Sequence, residues 1–205
     1  HWKILMKIAV IGGVTSTSIL LEKLFEHKFK AIKIWAYHPK KASNVSGWED
    51  LTIKAKQFSY ENTKFTKIVE CEDALKKYKP DYIFVVGLSQ IIPESILKIP
   101  KNGCIGFHPT ALPKGRGRAP LAWLIIEGGK GAATFFWLGS GLDDGSIIEQ
   151  IIFKVTNKDN ASSISKKMIE AERVALDLLL VRLQKSKLKS IRQDFKKATW
   201  FGIRI

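Results

Sequence analysis

His108 and Asp143 are the two residues whose types and surroundings best suit proton transfer. The histidine directly follows the apolar run Gly103-Cys104-Ile105-Gly106-Phe107, at the carboxyl end of an expected strand, where open α/β sheets place their ligands. After it come Pro109-Thr110-Ala111-Leu112-Pro113, stiffened by two prolines, and Lys114-Gly115-Arg116-Gly117-Arg118-Ala119-Pro120, with three cations on a glycine-loosened backbone. Such a loop suits an anionic or phosphorylated ligand. The aspartate lies in Gly139-Ser140-Gly141-Leu142-Asp143-Asp144-Gly145, a second glycine-rich turn. Taken singly, a histidine can simply cap a strand end, Asp-Gly can be only a turn, and loop cations can be only solvated. Their order within one segment favours a site.

Other chemistries find less support. Cys71 and Cys104 are far apart, without metal-ligand spacing, and Cys104 falls within an apolar strand, so neither reads as an activated nucleophile. The turn Gly12-Gly13-Val14-Thr15-Ser16 lacks the G-x-G-x-x-G spacing of dinucleotide sites and reads as a tight turn that starts a helix. Thr15, Ser16 and Thr17 keep open an anion site at that helix N-terminus.

The elements that position these residues follow from periodicity. Strands are expected at residues 7–11, 31–37, 67–69, 82–86 and 103–107. Helices are expected at 16–25, 72–78 and 93–99, with a helical turn near 51–58 in an otherwise polar stretch. Alternation of this kind predicts a doubly wound, mostly parallel α/β sheet, Rossmann-like and flanked by helices. A helix at 119–127, strands at 132–138 and 147–155 running antiparallel, and an amphipathic helix at 162–188 follow, and the tail from Gln193 suits one edge strand. The length fits one large domain, or one with a small appendage.

The 205 residues are 45% hydrophobic and 26% charged, which excludes disorder, collagen and a disulfide scaffold. No apolar run reaches the roughly 20 residues of a membrane span, and the start is no signal peptide. Two cysteines fit a reducing cytoplasm. The formal charge of +15 invites nucleic acid. Yet the excess is lysine spread along the chain, with arginine only at 116, 118, 173, 182, 192 and 204, so most of it reads as solvated surface.

The string from Ile105 to Pro113, the run Gly115-Arg116-Gly117-Arg118-Ala119-Pro120-Leu121, and Leu142-Asp143-Asp144-Gly145-Ser146-Ile147-Ile148 together resemble the 10-formyltetrahydrofolate-dependent formyltransferases. The segment from Val85 to Pro93 also matches, and the likeness covers roughly residues 6 to 155. It implies a formyltransferase fold, with a catalytic domain at 6–155 and a small helical and strand extension at 156–205, and a catalytic pair, His108 and Asp143, with Asp144 at the variable position of an Asp-x-Gly motif. It implies 10-formyltetrahydrofolate as donor, its pterin lying against the backbone of Val86, Gly87, Leu88, Ser89 and Gln90 and of Leu138, Gly139, Ser140 and Asp143. The family asparagine two residues before the histidine is Gly106 here, and Gln90 is the expected substitute amide donor. In the implied reaction an amine attacks the formyl carbon. The resulting oxyanion needs a donor, which His108 supplies while Asp143 relays the amine proton.

Three amine classes occur in that family. Members acting on methionyl-tRNA carry a further barrel, for which the roughly 50 residues after the last core strand leave no room. Glycinamide ribonucleotide enzymes usually carry a histidine where this chain has Thr134-Phe135-Phe136-Trp137-Leu138. The run Arg116-Gly117-Arg118-Ala119-Pro120-Leu121-Ala122-Trp123 is similar to that of the nucleotide-sugar N-formyltransferases, so a nucleotide-linked deoxyamino sugar is the expected acceptor. Lys114, Arg116 and Arg118 are expected to meet its phosphates, and Trp123 to line the pocket or pack in the core. Residues 197–202 are similar to the family's C-terminal strand, which leaves a hairpin or homodimer contact open. A binder of folate or nucleotide with altered transferase activity is the remaining alternative.

Overall fold

In the computed structural model, which describes residues 5–185 and 188–202, the packing divides the chain into two units, His1–Ile105 and Gly106–Ile205. The first is built on strands whose apolar runs leave them nothing to show to water. β1 (Lys7–Gly12) buries every residue after its first, and β4 (Tyr82–Val86) buries all five, as strands covered on both faces must. β1 pairs in parallel with β2 (Ala31–Tyr37) and with β4, placing Ile8 opposite both Ile32 and Tyr82. β3 (Glu61–Phe65) pairs in parallel with β2 and exposes all but its last residue. Helices α1 (Thr15–Glu26), α2 (Leu51–Phe58), α3 (Glu72–Tyr78) and α4 (Glu94–Leu97) connect them. Ile19, Leu20 and Leu24 of α1 are buried, and Leu75 anchors α3.

Two expectations need correction here. The third strand is at Glu61–Phe65 and not at residues 67–69, because Ile68–Cys71 winds into a 3-10 turn. The α1 N-terminus is also closed to an anion. The Thr15 amide donates to Gly47 O at 3.0 Å, the Thr17 amide turns back to Val14 O at 2.8 Å, and the Ser18 hydroxyl donates to the Glu49 carboxylate. A phosphate there would meet a negative charge and occupied amides. The glycines of this turn serve close approach instead, since a Cβ on Gly12 would lie 2.0 Å from Val86 O.

In the second unit, β7 (Gly129–Trp137) and β8 (Ile147–Val155) form an antiparallel pair with an irregularity between Phe135 and Phe136. Helix α6 (Ala161–Lys185) packs on both, burying Ile164, Met168, Ala175, Leu176, Leu179 and Leu180. Each of the larger side chains among them contributes about 1.5–3 kcal/mol relative to exposure. The expected boundary at 155/156 thus falls between two elements of one unit. Asn160 and Ser163 cap the helix reciprocally, each backbone amide donating to the other's side chain at 3.0 Å. Helix α5 (Pro120–Glu127) lays Leu121 and Leu124 against Phe153, Val155 and Ile164. β5 (Cys104–Thr110) starts in the first unit and ends in the second; the strand order is β3-β2-β1-β4 within the first, and β7 pairs with β8 within the second. The tail touches that pair through an isolated antiparallel bridge between Ile191 and Ile147 of β8. β9 (Trp200–Phe201) pairs in parallel with β6 (Arg116–Gly117) as a separate two-stranded ribbon.

Candidate active site

β5 runs past the histidine to Thr110, so Gly106, His108 and Thr110 fall on one face of a strand rather than on a loop. Beyond it the chain folds back sharply. Thr110 donates through its hydroxyl to Lys114 O at 2.9 Å, and its own carbonyl accepts the Thr134 hydroxyl of β7 at 2.7 Å. That return brings Gly115 O to 2.8 Å from His108 Nε2. A carbonyl oxygen can only accept, so Nε2 carries a hydrogen and the free valence of the buried ring is Nδ1.

Nδ1 faces Asp143 Oδ2 at 3.7 Å. That distance exceeds a direct hydrogen bond and lies within ion-pair reach once the ring carries a hydrogen on both nitrogens. Asp143 is held on three sides. Its φ is 50°, a turn conformation; Oδ2 accepts the Gly117 amide at 2.9 Å; and its carbonyl accepts from Gln193 Nε2 at 2.8 Å. Asp144 folds over Gly141 instead, where a Cβ would meet its carboxylate at 2.0 Å. Gly145 is required by the turn, since a Cβ there would lie 1.7 Å from Trp137 O.

The other expected site residues fall into different places. Lys114 and Arg118 are exposed. Arg116 is not: it is 2% exposed, donates from Nε and Nη2 to Gln193 Oε1 at 3.2 and 2.7 Å, and stacks on the rings of Phe195 and Trp200 at 4.8 and 5.5 Å. The expectation that it meets a phosphate is therefore corrected: its guanidinium holds the tail. Trp123 is half-buried and stacks on Phe201 at 5.5 Å, donating its indole hydrogen to Gly202 O at 3.3 Å.

In the first unit, Gln90 accepts from the Ile68 amide at 2.9 Å and donates to Thr66 O at 2.8 Å, tying down the turn after β3. One Nε2 hydrogen is left for any other partner. Val86 O accepts the Thr17 hydroxyl at 2.7 Å, and Gly87 has a φ of 68° with Val14 packed where its Cβ would be. Leu88 is half-buried and Ser89 exposed. In the second unit Leu138 is half-buried, and Gly139 and Ser140 are exposed. The space beside Gly106 is filled: a Cβ would lie 2.8 Å from Leu138 Cγ and 3.1 Å from Phe136 Cζ.

Burial pushes the thiols of Cys71 and Cys104 up to about 12, which removes both as nucleophiles at neutral pH. Among the described residues no cluster of His, Cys, Asp and Glu could hold a metal ion. The chemistry available is acid–base work by His108 and Asp143 on a ligand brought to them.

Residues 6–180 match the Formyl transferase family. The chain belongs to that family. Methionyl-tRNA formyltransferase of Clostridium tetani is 34% identical to it over 173 residues, 82% of this chain and 56% of that protein. The bifunctional polymyxin resistance protein ArnA of Wigglesworthia glossinidia brevipalpis is 39% identical over 120 residues, 58% of this chain and 18% of that protein. The chain thus spans about half the length of the methionyl-tRNA relative. Among solved structures, an N-formyltransferase from Helicobacter canadensis in complex with folinic acid and dTDP-3-aminofucose superposes with a TM-score of 0.75. It is 19% identical, and the match covers 96% of this chain and 70% of that one. That likeness shows the formyltransferase fold.

The sequence did not point to Gln193, Thr199, the Gly117 amide or Gly115 O. Two contribute through backbone groups, and two lie in a lysine-rich tail with no periodicity. The Thr199 hydroxyl accepts the Gly115 amide at 2.9 Å, fixing the residue whose carbonyl orients His108.

Proposed function

We propose that this formyl transferase moves the formyl group of 10-formyltetrahydrofolate to the amine of a nucleotide-linked deoxyamino sugar. The amine nitrogen bonds to the formyl carbon, the bond from that carbon to N10 breaks, one amine hydrogen leaves and N10 gains one. The observation that carries the reading is the pairing of His108 Nδ1 with Asp143 Oδ2 at 3.7 Å, with Nε2 already committed to Gly115 O. With His108 protonated on both nitrogens, Nδ1 donates to the oxyanion while Nε2 stays on Gly115 O, and Asp143 takes the amine proton directly or through water. A donor bearing its own leaving group needs no enzyme nucleophile, in keeping with two inert thiols.

The donor is supported by family membership and by folinic acid in the Helicobacter canadensis relative. Two stretches remain assigned to it, Val86 to Gln90 and Leu138 to Asp143, together with Gln90 as amide donor through its one uncommitted hydrogen. Lys114 and Arg118 remain the assigned phosphate ligands. The sugar acceptor is supported by the run 116–123 and by that relative's dTDP-3-aminofucose. A second reading, an aminoacyl-tRNA acceptor, is favoured by the Clostridium tetani relative and by the charge of +15.

Release of tetrahydrofolate from 10-formyltetrahydrofolate, measured with dTDP- and UDP-linked amino sugars and with methionyl-tRNA, separates them. Turnover with a sugar alone supports the first reading. Turnover with the tRNA alone, suppressed steeply by salt, supports the second. Tight folate binding without turnover would make the chain a binder. No described helix is long and apolar enough to cross a membrane, and a cytoplasmic homodimer remains part of the proposal, read by light scattering and fractionation.

A further inference from the structure

Beyond residue 180, where the family match ends, one side chain connects both loops of the candidate site. Gln193 is 4% exposed, and its amide is saturated. Oε1 accepts from Arg116 Nε and Nη2 at 3.2 and 2.7 Å, while Nε2 donates to Asp143 O at 2.8 Å and Gly145 O at 2.7 Å. One end therefore grips the loop after β5, and the other grips the main chain of the very residue whose carboxylate faces His108. The two loops are also joined directly, by the Gly117 amide on Asp143 Oδ2 at 2.9 Å. The neighbours of Gln193 stack on the same guanidinium, so the segment from Ile191 to Trp200 is a strap across the site. Its first contact is the Ile191 amide on Ile147 O at 2.8 Å.

We propose that Gln193 is a positioning residue for formyl transfer, fixing the Asp143 turn so that its carboxylate stays opposed to His108 Nδ1. The inference rests on the function proposed above. A glutamine is uniquely suited, because the position needs an acceptor pair on one side and a donor pair on the other. Gln193→Glu separates the two ends. It keeps and strengthens the arm to Arg116, while it sets a carboxylate against the carbonyls of Asp143 and Gly145 and drives that turn away.

In the full chain, Gln193→Glu should retain the wild-type melting temperature within a few degrees. It should lower kcat by on the order of ten- to a hundredfold, the scale of a roughly 1 Å misplacement, with KM for the folate donor little changed. Faster hydrogen exchange at the Gly117 amide should accompany the loss. Gln193→Leu, which removes both arms, should lower stability as well. Wild-type kcat in Gln193→Glu would overturn the proposal, and so would unchanged Gly117 exchange. If the wild-type chain transfers no formyl group to any amine, the functional reading fails on its own. The exchange measurement then still decides whether Gln193 positions the turn.

Discussion

Leu138 occupies the space that a side chain at Gly106 would enter, its Cγ and Cδ2 lying 2.8 and 2.9 Å from where a Cβ would sit. The asparagine that the resemblance leads one to expect at this position would meet Leu138, the residue after β7 (Gly129–Trp137), and the ring of Phe136. Gly106→Asn should lower stability by about 1–3 kcal/mol, as overpacking does. Adding Leu138→Ala should recover part of the loss, measured by urea unfolding. A Gly106→Asn variant as stable as wild type would show that Leu138 yields freely and is not what excludes the asparagine.

The three cations of the 114–118 loop should separate cleanly in mutagenesis. Arg116→Ala leaves Gln193 Oε1 without donors and two aromatic rings without their cation, so a loss of about 2–4 kcal/mol is expected, with Arg116→Lys a poor substitute for the two-pronged guanidinium. Lys114→Ala and Arg118→Ala should stay within about 0.5 kcal/mol of wild type and act only on acceptor KM. Chemical denaturation beside steady-state kinetics reads both effects.

Alkaline pH should unfold the protein. Burial raises the thiols of Cys71 and Cys104 from an ordinary 9.0, and the phenols of Tyr60 and Tyr78 from an ordinary 10.0, each to about 12. Below the unfolded values all four are protonated in both states and their contribution is intact. As pH rises past 9.0 and then 10.0 only the unfolded chain ionises, so stability falls progressively up to the folded values near 12. The opposite limb involves Asp159, lowered first by the Lys167 hydrogen bond and then by the Thr156 amide; its contribution is present above 3.8 and lost as pH falls. Melting temperature measured across pH 8–11 should decline from about 9 upward, and a flat profile would contradict the burial of these groups.

Where the sequence was legible, a single strong physical signal was responsible. Tyr82 to Val86 and Ile8 to Ile11 read as buried strands, Glu72–Tyr78 is closed by Pro80, and α6 carries an apolar stripe over many turns. His108 and Asp143 stood out because their motifs preserve side-chain chemistry, and the structure brings them together. Glu61–Phe65 was missed because an edge strand with four exposed residues has no alternation to detect. Arg116 was misread because a cation in a glycine-rich loop resembles an anion ligand until its partners are visible. Those partners, Gln193, Phe195 and Trp200, lie some eighty residues away along the chain. Only tertiary contact gives them meaning.

Formyl transfer by the isolated protein with matched variants of the pair decides the central claim. With 10-formyltetrahydrofolate and a nucleotide-linked amino sugar, wild type should release tetrahydrofolate. His108→Ala and Asp143→Asn should each lower kcat by about 10²–10⁴, the range of general acid–base catalysis, while remaining folded and retaining folate affinity. Turnover in both variants at the wild-type rate would contradict the assignment of His108 and Asp143 as the groups that move the proton.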